Sequence, residues 1–243
     1  LKDSSVTSAE SQQYGSAWSS QWGSAIEPWI RRQLAQADAG HGIDHVQRVV
    51  QNAIAIGERE GAEVNIVLPA AWLHDCVLVP KDSPERSKAS RLAAAAAIEF
   101  LHSIRYPAEW LKQIEHCIAA HSFSAGIPCE SLEAKVVQDA DRLEAIGAVG
   151  ISRCLMTGGS MRQLLYCVKQ PFPIDRPPQD TVQSIDHFFA KLLGLAKTMQ
   201  TDQGRMIAAQ RTEFMIDFLR QLASEIGVDH RDLDRAISQS SRR

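Results

Sequence analysis

Four residues in this 243-residue chain have the types and order needed to hold a divalent cation: His45, His74, Asp75 and Asp141. Imidazole and carboxylate donors without a thiolate suit manganese, magnesium or ferrous iron, and four protein donors leave coordination positions for water and a substrate oxygen. His74 and Asp75 lie in AAWLHDCVLV, an apolar segment expected to be buried, where a lone carboxylate is costly to desolvate and a cation offsets that cost. A buried ion pair of Asp75 with Lys81 or Arg142 meets the same requirement.

The elements that must bring these residues together read as helices. Val46, Val49, Val50, Ala53, Ile54 and Gly57 follow the 3.6-residue period, giving a helix over 44–60 with Gly61 as its C-cap. Asn65 is expected to cap a second helix with Pro69 in its first turn and AAWLHDCVL as its body, stopped by Pro80. SKASRLAAAAAIEFLHSI is alanine-dense, as expected where two helices approach closely. Pro107 opens AEWLKQIEHCIAAH, and SLEAKVVQDADRLEAIGAVGISRCL reads as one long helix carrying Asp139 and Asp141. IDHFFAKLLGLAKTM and RMIAAQRTEFMIDFLRQLASEIG are amphipathic helices, the second ending at Gly227.

Few segments alternate as strands do, so the expected fold class is all-α, a single-domain helical bundle over 25–227. Residues 1–24, rich in serine and glutamine, are expected to form a mobile tail, unless Trp18 and Trp22 at i,i+4 dock it as a helical turn. Residues 228–243 are expected to form a C-terminal tail. Residues 157–181, holding two glycines and four prolines with no helical period, are read as a lid or flexible loop.

Composition narrows the function classes. A net charge of −3, with 44% hydrophobic and 23% charged residues, fits a soluble globular protein and gives no reason to expect a nucleic-acid or acidic-membrane partner. The five cysteines (Cys76, Cys117, Cys129, Cys154 and Cys167) are odd in number and contain no CxxC pair, so neither a disulfide framework nor a structural zinc site is indicated and a cytoplasmic location fits. The sequence contains no apolar run long enough for a membrane span and no signal-peptide pattern.

The ordered set HGIDHVQRV, AAWLHDCVLVPKDSPERSKASR and QDADRLEAIGAVGI resembles the HD-domain metal-dependent phosphohydrolase superfamily, whose signature is H…HD…D on separate helices. AIAAHS and IDHFFAKLLGLAKTMQTDQGRMIAAQRTEFM are similar to its bacterial stand-alone branch, and the likeness runs roughly from Ile26 to Ile226. The resemblance implies an HD-type bundle in which His45, His74, Asp75 and Asp141 bind a divalent ion, Mn2+ first, with Mg2+ or Fe2+ as alternatives. The ion would hold a phosphoryl oxygen and acidify its water for attack on phosphorus, with Asp75 orienting that water. The implied substrate is a small phosphorylated metabolite, a nucleotide, with a leaning toward a nucleoside triphosphate that releases pyrophosphate.

Such a substrate carries more negative charge than one ion neutralises. Lys81, Arg86 and Lys88 follow the HD pair closely enough to reach it, and Ser87 or Ser90 can donate hydrogen bonds; ion pairing with Asp82 and Glu85 is the alternative for this loop. His121, expected just past a helix end, is read as binding phosphate or orienting water, against an ordinary helix-terminal histidine. The expected catalytic residues are thus Asp75, His121 and Lys81, and the expected substrate contacts Lys81, Arg86, Ser87, Lys88, His121 and Arg142.

His116 is read as structural, although a second ion could bind if His116 and His121 both turned toward the site. His41 is placed in a turn between Gly40 and Gly42, and Asp44 as either an N-cap or a support for His45. His187 and Lys191 share a helical face, for which packing is the expected role and closure of that helix over the site, which the resemblance implies, the alternative. Two rival functions stay open: a di-iron oxygenase of the same fold, which needs the extra histidines, and a non-catalytic nucleotide sensor. The oligomeric state stays open, although the amphipathic C-terminal helices would suit a homodimer.

Overall fold

The computed structural model describes residues 14–37, 42–79, 83–122 and 125–240. His41 and Lys81, and the side chain of Arg86, lie outside the described residues. Among those residues there is no strand or sheet, only isolated bridges pairing Leu164 with Gln183 and Cys167 with Gln170, so the fold is all-α. Two compact units divide between Asp141 and Arg142.

The first unit contains α1 (Ser16–Trp18), a π-helical turn (Ser19–Gly23), α2 (Ser24–Gln33), α3 (Ile43–Glu60), α4 (Val64–Leu73), α5 (Ala89–Ser103), α6 (Ala108–His121) and α7 (Leu132–Arg142), whose last residue opens the second unit. The buried stripe of α3 is Val46, Val49, Val50, Ala53, Ile56 and Gly57, and Gly61 ends the helix at φ 70°. α4 packs against α3 and α6, and α5 against α6. Ala93, Ala94 and Ala97 are buried, and their small side chains allow the close approach expected of the alanine run.

α4 departs from expectation in three ways. Glu63, not Asn65, caps it: the Glu63 carboxylate accepts the Asn65 backbone N–H at 2.9 Å, because it stands where it can reach the free N–H groups of the first turn. Pro69 lies in the interior rather than the first turn. Proline supplies no N–H to the Asn65 carbonyl one turn back, and the Tyr106 hydroxyl donates to it instead at 2.7 Å. Finally, α4 stops at Leu73, so His74 and Asp75 stand at its C-terminal end and not in its body. The Cys76 N–H bonds the Leu73 carbonyl and tightens the chain there.

Residues 14–24, expected within a tail, are docked. The Trp18 indole is 3% exposed and donates to the Tyr106 hydroxyl at 2.8 Å, and the Tyr14 hydroxyl donates to the Ala62 carbonyl. Gly57 makes room, since a Cβ there would lie 2.7 Å from the Tyr14 hydroxyl oxygen. Asp44, expected as an N-cap or support for His45, instead forms an exposed first-turn ion pair with Arg48, and Gly42 is the N-cap.

The long helix expected over 131–155 is broken. α7 ends at Arg142, a 3-10 turn spans Leu143–Ala145, Ile146 is extended, and α8 begins at Gly147 with φ 74°. A Cβ on Gly150 would meet the Ala145 carbonyl oxygen at 2.2 Å, so the turn closes on a residue that has none.

The second unit holds α8 (Gly147–Ser160), α9 (Asp186–Ala190), a 3-10 segment (Leu192–Thr198), α10 (Asp202–Glu225) and α11 (His230–Ser240). IDHFFAKLLGLAKTM is therefore not one helix, because Lys191 leaves the helical region at φ −142°. The expected C-terminal tail is mostly α11, which buries Leu233 and Ala236 and packs against α9 and α10. Within 157–181, the first residues complete α8, Phe172 is 1% exposed, and Arg176 pairs with the buried Asp186 carboxylate.

Candidate metal centre

Every member of the candidate site in the first unit sits at or near a helix terminus. His45 is in the first turn of α3, Asp141 in the last turn of α7, His121 is the final residue of α6, and His74 and Asp75 follow the last turn of α4. His121 therefore lies inside the helix end rather than past it.

The side-chain atoms converge. His45 Nε2 is 3.3 Å from His74 Nε2 and 3.5 Å from Asp141 Oδ1, and His74 Nε2 is 3.6 Å from Asp75 Oδ2 and 3.9 Å from Asp141 Oδ1. Asp75 Oδ2 is 4.0 Å from His45 Nε2, while Asp75 Oδ1 is 3.5 Å from His121 Nε2, so this carboxylate joins the two halves of the cluster. His45 and His74 are buried, whereas the two carboxylates keep about 30% of their surface exposed, leaving an open side.

Backbone carbonyls fix the imidazoles. His74 Nδ1 is 2.8 Å from the Ala71 carbonyl and His121 Nδ1 is 2.7 Å from the Ile118 carbonyl. A carbonyl can only accept, so each Nδ1 carries a proton and each ring turns its Nε2 toward the cluster, as a lone pair on the neutral His74. The His45–His74 approach then requires either a proton between the two Nε2 atoms or a cation that takes both lone pairs. Helix C-termini carry partial negative charge, and three of the four helices involved present that end to the site. Two nitrogen lone pairs, two carboxylates and three negative helix ends fit a divalent cation.

Electrostatics divides the two fixed histidines. Burial lowers the His74 pKa against the pull of Asp75, keeping the ring neutral. Burial acts the same way on His121, but the hydrogen bond and charge of Asp75, with Asp141, push it up to about 9. Burial alone would raise the Asp75 carboxyl; His74, then His121 and His45, instead hold it well below the usual carboxylate range.

The basic residues are placed less uniformly. Lys88 is exposed and pairs with Glu85 at 3.0 Å, the alternative weighed for that loop, and Ser87 is exposed. Ser90 is buried and donates to the Ala119 carbonyl at 2.9 Å, which makes it a tie between α5 and α6. The Arg142 guanidinium donates to the Thr198 carbonyl in the second unit. His116 Nε2 accepts the Glu130 backbone N–H, matching its structural reading, so His121 alone of that pair joins the cluster. His187 is paired with Asp180 at 3.0 Å.

The family model described as HD domain matches residues 42–146, a span that holds all five cluster residues. The chain is 37% identical to the Bacillus subtilis (strain 168) protein YpgQ over 210 residues, covering 84% of this chain and 94% of YpgQ. Among solved structures, that of Bacillus subtilis YpgQ in complex with ADP matches with a TM-score of 0.64 at 36% identity, covering 83% of this chain and 96% of the other. An HD-superfamily hydrolase from Bacillus thuringiensis matches with a TM-score of 0.68 at 30% identity, covering 86% and 99%.

Proposed function

The chain belongs to the HD-domain superfamily, and from that premise we propose that it is a metal-dependent phosphohydrolase acting on a nucleotide, releasing pyrophosphate from a nucleoside triphosphate. One observation carries the reading: His45 Nε2 and His74 Nε2 face each other at 3.3 Å with the Asp75 and Asp141 carboxylates within 4.0 Å. The similarity to YpgQ, crystallised in complex with ADP, supports a nucleotide as the ligand class.

In this reading His45, His74, Asp75 and Asp141 hold the ion, with Mn2+ the preferred metal. When bound, the ion supplies Lewis acidity toward a phosphoryl oxygen and acidifies water. Asp75, joined to His74 through one oxygen and to His121 through the other, orients the attacking water. His121, its Nδ1–H held by the Ile118 carbonyl and its Nε2 3.5 Å from Asp75 Oδ1, binds a phosphoryl oxygen through Nε2–H and stabilises charge that grows in the transition state. Lys81, Arg86, Ser87 and Lys88 take the remaining phosphates. The exposed Lys88–Glu85 pair is worth under about 1 kcal/mol, so a polyphosphate can displace it.

The test is a screen of metal-replete protein against ribo- and deoxynucleoside tri-, di- and monophosphates with Mn2+, Mg2+ and Fe2+, products resolved by chromatography. Monophosphate plus pyrophosphate from a triphosphate is the expected result. Orthophosphate from monophosphates would make it a nucleotidase, and silence with bound metal would refute hydrolysis. His74→Ala and Asp75→Ala are expected to abolish metal binding and turnover together; turnover retained in clean metal-replete variants would refute the assignment.

A further inference from the structure

Two buried side-chain amides tie the ligand-bearing helices together, and the proposed chemistry uses neither. Asn52 Nδ2 donates to the Ala140 carbonyl at 3.1 Å, and Gln138 Nε2 donates to the Ala120 carbonyl at 2.7 Å. Each accepting carbonyl belongs to the residue just before a member of the cluster: Ala140 precedes Asp141 and Ala120 precedes His121. Each also lies in the last turn of its helix, where carbonyls have no intrahelical N–H to accept.

The donors are placed with equal economy. Asn52 stands two turns after His45 on α3, on a face otherwise formed by Val46, Val49, Ala53 and Ile56. Gln138 lies three residues before Asp141 on α7. An apolar contact tolerates small rotations and slides of one helix over another, whereas a hydrogen bond has a length and a direction. An amide on an apolar face therefore sets the register of α3 against the end of α7, and a second sets α7 against the end of α6.

We propose that Asn52 and Gln138 are positioning residues. Asn52 holds Asp141 at its distance from His45, and Gln138 holds His121 against Asp75. The inference rests on the metal-site reading above, and the experiment separates the two. Metal-free protein is titrated calorimetrically with Mn2+ alone, and wild type and His45→Ala come first. If wild type takes up no Mn2+, both readings fall. If wild type binds and His45→Ala does not, the variants decide.

Asn52→Leu is expected to weaken Mn2+ binding about ten-fold. Tyr106→Phe is the control: it removes a part-buried bond at the other end of α4 and is expected to lower the melting temperature while leaving Mn2+ affinity at the wild-type value. Should Asn52→Leu not fold, Asn52→Ser, too short to reach Ala140, is read in the same titration. Gln138→Leu is expected to keep wild-type Mn2+ affinity and to lower turnover at saturating metal about ten-fold, with no further loss in a His121→Ala background. Wild-type affinity in a folded Asn52 variant overturns the proposal. So does an equal affinity loss in Tyr106→Phe, or a Gln138→Leu effect that adds fully to His121→Ala.

Discussion

His74 and His121 share one device. Each imidazole stands at the end of a helix, and the carbonyl three residues earlier takes its Nδ1 proton, which turns Nε2 toward the site. Their charges nevertheless differ: burial outweighs the pull of Asp75 at His74, whereas the hydrogen bond and charge of Asp75 outweigh burial at His121. In the metal-free protein this has a pH signature. Burial works against the His121 cation, yet Asp75 carries its pKa from 6.5 to about 9. A histidine whose pKa rises on folding contributes stability that is complete below about 6.5 and lost as pH climbs through about 9. The stability difference between wild type and His121→Gln, measured by urea unfolding in chelator, is expected to be largest below pH 6.5 and to fade above 9. A difference that grows with pH would contradict the assigned charge.

At the scale of elements, the site depends on where helices stop. Pro69 removes a helical hydrogen bond from α4, and Tyr106, anchored in turn by Trp18, restores the partner of the Asn65 carbonyl. Tyr106→Phe leaves that acceptor and the buried Trp18 indole N–H without their bonds, and is expected to cost about 1–3 kcal/mol in equilibrium unfolding. The break after α7 depends on Gly150, where a Cβ would strike the Ala145 carbonyl. Gly150→Ala is expected to destabilise by more than about 2 kcal/mol, visible as a lowered melting temperature. A wild-type melt would mean that the turn relaxes without cost. The helical periods of α3, α5 and α6 are legible in the residues themselves. The ends of α4 and α7 are not, because propensity continues through His74 and through Leu143, and the breaks show only in folded contacts: the Cys76 N–H on the Leu73 carbonyl, and Gly150 against the Ala145 carbonyl.

For the whole molecule, the cluster residues all come from the first unit, from His45 to Asp141. Binding of an ion to the folded state alone stabilises by mass action, about 2.7 kcal/mol at a concentration one hundred times Kd. Mn2+ is therefore expected to raise the melting temperature of wild type and not of His74→Ala. Hydrogen exchange is expected to slow chiefly in α3, α4, α6 and α7; protection confined to 142–243 would contradict the site. No helix among the described residues is long and apolar enough to cross a membrane. The sequence by itself determined the helical class and the order of the segments that carry His45, His74, Asp75 and Asp141, because period and residue type are local properties that survive without coordinates. Only the tertiary structure decided that His121 joins the cluster through Asp75 and that His116 does not. It likewise showed Ser90 and Lys88 already engaged by groups of the chain, and Asn52 and Gln138 tying the helix ends. Each of these depends on which distant carbonyl or carboxylate meets a side chain, and spacing along a chain does not encode distances between helices.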